Sequence, residues 1–275
     1  VSAPAREPSL RSFCQRVLAE GDLASKLAPP GALDDAEPGP PLRVEKPARG
    51  PGLAMRGGAA PLPRPAELRV PAARALCLAR FAHHELMAVE LFAWALLRWP
   101  ELPPALRRGW LGALAEEQRH CLLYLGRLRA LGRELADFEP HSDYFWKQAG
   151  AIAASSAGPR AFLAALGLTL EQANLDFTLL YRDAFREAGD QESARVCERV
   201  HADEIGHVRL AARWLQELAP AAGDLVAAYA EAVPFPLGAA RAKGRRFDVA
   251  ARRRAGLPER FIEHVRRARP GDPSR

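Results

Sequence analysis

Cysteine is scarce. The 275 residues contain four, Cys14, Cys77, Cys121 and Cys197, and no two form a CxxC pair. That argues against both a disulfide framework and a thiolate zinc site, and it fits a reducing compartment. Long apolar runs are missing too. The longest, Leu86 to Leu97, is interrupted by Glu90 and flanked by Arg98, which is too short to span a bilayer. Val1 to Arg16 lacks the continuous apolar stretch of a secretory signal. A cytoplasmic location without a membrane partner is the expectation. No alternating Val/Ile/Thr-rich run occurs, so no sheet is predicted.

What is present is ordinary globular material. Hydrophobic residues make up 48% and charged residues 26%, which excludes wholesale disorder. A chain of this length buries a real core without staples. The net charge of +6 permits an acidic partner without demanding one.

Prolines and glycines divide the chain. Residues 8–27 predict a short helix capped by Ser9, with Leu10, Phe13, Val17 and Leu18 on one face. From Ala28 to Pro71 proline recurs too often for a helix or a central strand, and an extended arm, on the surface or loose, is expected. Four long helical patterns follow, over about 72–99, 104–131, 159–188 and 191–219, ending at Pro100, Gly132, Gly189 and Pro220. Short turns make the first two, and the last two, antiparallel pairs. A long crossover, Arg133 to Gly158, joins the pairs and contains His141 and Tyr144-Phe145-Trp146, read as a lid or packing cover. Two helical hairpins joined by one crossover is the connectivity of an all-α ferritin-like four-helix bundle. The expected division is an arm over 1–70, a bundle over 71–220 and a basic helical extension over 221–275, whose arginine pairs read as solvated charge.

Two of these helices share a pattern. The second reads Glu116-Glu117-Gln118-Arg119-His120 and the fourth Asp203-Glu204-Ile205-Gly206-His207. Residues i and i+3 share a helix face, so Glu117 points with His120 and Glu204 with His207, each pair within an apolar stripe. A carboxylate buried there is costly unless it is paired or binds a metal. In the third helix Glu171 alone lies within the long apolar run. The first helix offers Glu85 and Glu90, which five residues of helical rotation place about 140° apart. Glu85 points away from Arg80 and Arg98. It precedes Glu117 by 32 residues, close to the 33 between Glu171 and Glu204, whereas Glu90 gives 27. Glu85 is therefore the first choice and Glu90 the second.

The result is a doubled set: Glu85, Glu117 and His120, then Glu171, Glu204 and His207. One Glu and one Glu-x-x-His, twice, is the ligand pattern of dinuclear carboxylate bundles. Four carboxylates balance two divalent ions, and carboxylate with imidazole suits iron or manganese. Glu116 and Asp203 are placed to hydrogen-bond the free ring nitrogen of a ligating His and set its tautomer. Further outer candidates are His201, one turn before Glu204; Tyr124, one turn after His120; Asn174, a polar liner or buried amide; and Glu90, read as structural and paired with an arginine. His83 and His84 flank Glu85.

Phe81-Ala-His-His-Glu-Leu-Met-Ala-Val-Glu-Leu91, Glu117-x-x-His120, Glu171 and Asp203-Glu-Ile-Gly-His207 together resemble the rubrerythrin-like ferritin superfamily. More closely, the chain is similar to a bacterial ferritin-like family of uncharacterised function. The match takes in the flanks, Leu10-Arg-Ser-Phe13, Lys26-Leu-Ala-Pro-Pro30 and Phe247 to Phe261. The resemblance implies a bundle holding two iron ions, or manganese, or one of each. It leaves the activity open. The expected function is an oxidoreductase acting with dioxygen or peroxide on a small substrate. It would need an external electron donor, because the cysteines form no iron–sulfur set. The alternatives are a bundle that scavenges iron or peroxide without an organic substrate, a purely structural metal site and, ranked below the scavenger, a tRNA-base hydroxylase using the basic tail. A monomer or small homo-oligomer is expected.

Overall fold

The computed structural model describes residues 9–58, 61–219 and 224–270. Pro220, the expected stop of the fourth long helix, and the outermost residues of the expected arm and tail lie outside them. The chain is mostly helical and divides into two units. The first runs up to Leu62 and then takes in Ala75–Trp146; the second holds Pro63–Arg74 and the chain from Lys147 onward.

In the first unit, helix α1 (Leu10–Ala19) is capped by Ser9, whose hydroxyl accepts from the Ser12 amide at 3.1 Å. It buries Leu10, Phe13, Cys14, Val17 and Leu18. The single helix expected over 8–27 breaks after Ala19. Asp22 restarts it as α2 (Leu23–Leu27) by accepting from the Ser25 amide at 2.8 Å. Gly21 sits so close to Gly50 that a β-carbon would lie 2.8 Å from the Gly50 nitrogen, so backbone contact fixes the break.

Among the described residues no helix forms between α2 and Pro65, in keeping with the proline density, but the arm is fastened down. The Leu42 amide donates to Leu97 O (2.9 Å), the Trp94 indole to Val44 O (3.0 Å) and the Ala48 amide to Leu18 O (2.8 Å). Arg107 grips Asp35 with two nitrogens, at 2.6 and 2.7 Å. Strands β1 (Met55–Arg56) and β2 (His141–Ser142) pair in parallel, where the sequence predicted no sheet. Two residues per strand are too few for an alternating pattern. The pairing is held instead by Glu139, whose carboxylate accepts from the Gly52 and Ala54 amides.

Helices α3 (Pro71–Arg98) and α4 (Pro104–Ala130) begin at prolines, where a missing amide hydrogen costs nothing. Their alignment follows from two contacts: the Cys121 thiol donates to Ala82 O, and Arg107 donates to Leu96 O. Fourteen residues forward along α3 match fourteen back along α4, which makes the pair antiparallel.

In the second unit, α5 (Ala149–Ala154) precedes a long rod made of α6 (Pro159–Phe162), a π-helical stretch (Leu163–Glu171) and α7 (Gln172–Glu187). The Gln172 amide reaches back to Gly167 O, five residues earlier, as a π-turn requires. Helix α8 (Gln191–Glu217) is capped by Asp190 through the Ser193 amide at 3.0 Å. Asn174 meets Glu204, and Gly167 lies against Ala211, so α8 runs antiparallel to the rod.

The tail adds α9 (Leu225–Ala232), α10 (Val249–Arg254) and α11 (Glu259–Arg267). Tyr229 shares a 2.7 Å hydrogen bond with Thr169. Arg252 corrects the reading of the tail arginines as solvated charge: it is fully buried, on Asp176 and over the Phe247 ring at 3.8 Å. It escapes the rule for arginine runs because a carboxylate meets it inside the unit.

Candidate functional site

The antiparallel register of α3 and α4 brings Glu85 level with the Glu117–His120 turn. All three side chains are buried, and each offers a ligand atom within 4.8 Å of the others. His120 Nδ1 lies 3.6 Å from Glu117 Oε2. The i, i+3 spacing on α4 puts both on one face, so local helix geometry alone makes this half of the contact.

The second unit repeats the arrangement. Glu171, Glu204 and His207 are buried and offer ligand atoms within 4.8 Å of one another. His207 Nδ1 lies 3.4 Å from Glu204 Oε2 and 3.5 Å from Glu171 Oε2. Asn174, one α-helical turn after Glu171, donates its amide to Glu204 Oε1 at 3.1 Å. Among the described residues Glu204 Oε2 accepts no hydrogen bond, and it faces the imidazole. Glu171 closes the π-helical stretch, a feature absent from the periodic sequence pattern and common at functional positions.

Each triad fits a divalent ion. Ligand atoms about 2.0–2.2 Å from one ion stand roughly 3–3.6 Å apart, the spacing of all three imidazole–carboxylate contacts. Two buried carboxylates this close repel when both are ionised, and a cation removes the repulsion. The donors are oxygen and imidazole nitrogen, without thiolate, a set that can hold a divalent metal ion.

Glu90 is buried in an ion-pair cluster, with Lys26 Nζ at 2.9 Å, Arg49 Nη2 at 2.5 Å and the Trp146 indole donating at 2.8 Å. Glu116 pairs with Arg119 and Asp203 with Arg199. Tyr124 is buried with its ring 5.2 Å from that of Phe81. His201 meets Thr178 Oγ1 at 3.2 Å and Asp248 at 3.7 Å. Burial holds its imidazole below the usual range, and the Asp248 carboxylate opposes that shift. His83 contacts Arg49 and stacks on His141, and His84 stacks on Phe145. Burial, aided by Arg80, depresses the His84 pKa to about 4.

Sequence reasoning missed Lys26, Arg49 and Arg252, the cations that neutralise buried acids beside each triad. A signal existed. Glu90 and Asp176 each stand five residues after Glu85 and Glu171, in helices rich in apolar residues, and a buried acid there calls for a basic partner.

No curated protein and no solved structure matches the chain. A family model described as "Protein of unknown function (DUF455)" matches residues 10–263, more than nine-tenths of the length. The protein is therefore a member of that family.

Proposed function

We propose that the two triads together hold a pair of divalent ions, iron in the first instance, in a ferritin-like bundle that works as an oxidoreductase on dioxygen or peroxide. The observation that carries this reading is the repetition: one Glu and one Glu-x-x-His in each unit, buried, with ligand atoms within 4.8 Å inside each triad. Charge supports a pair of ions over one, since four carboxylates match two divalent cations. When bound between Glu85, Glu117, His120, Glu171, Glu204 and His207, two such ions would supply the redox chemistry that these side chains lack.

The chain's own residues supply the rest. His120 and His207 present Nδ1 to their carboxylates. Asn174 holds one oxygen of Glu204 and so directs the other toward His207. Apolar neighbours such as Leu114, Leu168 and Val208 are buried and keep bulk water from the carboxylates. Reducing equivalents come from a separate donor, because the four cysteines are buried and scattered.

The test is metal analysis with visible and ultraviolet spectra of the purified chain, before and after reduction and exposure to air. About two irons per chain and an oxygen-dependent charge-transfer band are expected. Glu204→Ala should empty both positions if the triads share their ions. Loss of one ion only would show two independent mononuclear sites, and zinc or no metal in the unaltered chain would sink the redox reading.

A further inference from the structure

The second unit carries an open cleft of about 910 Å³ between α11 and residues 235–241. Neither Glu171, Glu204 nor His207 lines it, and the inference below is independent of any metal. Helical spacing builds one wall. Arg260, His264 and Arg267 recur at intervals of four and three, so they share a face of α11, while Phe261, Ile262 and Val265 are buried. The opposite wall is small and apolar, through Gly238, Ala239 and Ala240, and leaves the space open. Phe235 stands at this wall with 85% of its surface exposed, the most exposed large apolar side chain among the described residues.

The lining is cationic. Among the described residues, Arg241, Arg260, Arg267 and Arg269 share it with one carboxylate, Glu263, which pairs with Arg267. Arg260 also meets Asp224 at 2.7 Å, outside the lining. The walls therefore carry more positive than negative charge, and arginine keeps its charge at every physiological pH.

We propose that this cleft binds a phosphomonoester carried on a flat aromatic body, the chemistry of a nucleoside monophosphate. A phosphomonoester carries roughly −1.5 to −2 charges at neutral pH, opposite in sign to the walls. Guanidinium forks pair with phosphate oxygens through two parallel hydrogen bonds. Phe235 offers an unobstructed ring for the body to stack on. The volume lies within the range of small-molecule sites, roughly 300–1,000 Å³.

Isothermal titration of the full chain with adenosine 5′-monophosphate, adenosine, inorganic phosphate and benzoate tests the assignment. The monophosphate should bind at least about tenfold more tightly than any of the other three. Phe235→Ala and Arg267→Gln should each weaken it by about tenfold. Both side chains are largely exposed, so circular dichroism and thermal midpoint should not change. Equal binding of monophosphate and inorganic phosphate, equal binding of benzoate, or indifference to both substitutions would overturn the proposal. Binding of a 5′-phosphorylated single-stranded oligonucleotide without binding of the monophosphate would also overturn it, in favour of a nucleic-acid surface.

Discussion

Arg252 lays its guanidinium along the carboxylate of Asp176, Nη1 on Oδ1 at 2.8 Å and Nη2 on Oδ2 at 2.9 Å, with both side chains buried. Asp176 also accepts from the Gly244 and Asp248 amides, so one carboxylate ties α10 and the loop before it to α7. Five residues separate it from Glu171, as five separate Glu90 from Glu85. Glu90 plays the same part in the first unit, drawing in α2 through Lys26 and the arm through Arg49. Each unit thus repeats two things: a metal-type triad and, about 140° further round the same rod, a buried acid that anchors a flanking segment.

Removing one partner of such a pair leaves an uncompensated charge inside the protein. Arg252→Ala should cost about 3–5 kcal/mol of folding free energy, read from urea unfolding. Arg253→Ala, one residue on, removes an exposed cation paired with Glu259 and should leave the midpoint unchanged. Equal midpoints for the two variants would show that the buried pair contributes no more than a surface one.

The division of labour between Glu85 and Glu90 can be separated the same way. Glu90→Gln strands Lys26 and Arg49 and should cost about 3–5 kcal/mol while leaving the metal content of the folded fraction intact. Glu85→Gln should do the reverse, lowering metal content with little loss of stability. If Glu90→Gln empties the site and Glu85→Gln does not, the choice of ligand on α3 is wrong.

Much of the helical frame was legible because proline and glycine punctuate it. Pro71, Pro104 and Pro159 start helices, Gly132 and Gly189 follow helix ends, and the expected bounds lie within about two residues of those observed. The two Glu-x-x-His pairs were legible because i, i+3 spacing is local, while Glu85 and Glu171 were chosen from their apolar helices and matched spacing. What escaped notice depends on distant partners. Nothing near Arg252 in sequence marks it as buried. Two of the arm's attachments run to the main-chain oxygens of Leu18 and Leu97, which leave no trace in composition. The π-helical stretch escaped because Leu163–Leu170 is apolar apart from Thr169, and periodicity has little signal there.

Asn174 is a positioning residue for Glu204. Asn174→Ala removes the hydrogen bond to Oε1 and frees the carboxylate to rotate. Metal affinity, measured by competition with a chelator, should fall about 10–100-fold, the usual effect of losing such a support. Asn174→Gln can restore the donor only at a displaced position and should recover part of the loss. An affinity unchanged in Asn174→Ala would show that packing alone orients Glu204.

The cysteines give a test of burial. All four are buried, and burial raises the Cys14 thiol far above its ordinary pKa, outweighing the nearby Arg107. The folded chain then keeps a proton that the unfolded chain releases near pH 8.5, so this thiol favours folding below that pH and the contribution is lost as pH rises beyond it. A thiol reagent at pH 8 should leave the native chain unlabelled and react fully once it is unfolded. Rapid native labelling would contradict the packing of α1.

Gly167 makes a close approach between the rod and α8. A β-carbon there would come within 2.2 Å of Ala211 Cβ, far inside contact distance. The π-turn at this point also sets where Glu171 stands relative to His207. Gly167→Ala should therefore lower stability by about 1–3 kcal/mol and weaken metal binding together, since separating the helices moves one ligand away from the other two. Ala211→Gly should cost about 1 kcal/mol alone through helix propensity, yet in the double variant it opens room for the methyl group introduced at position 167. The double variant should be more stable than Gly167→Ala, and the sign of that coupling is what unfolding curves of all four chains would measure. Additive losses would mean that the helices do not touch here.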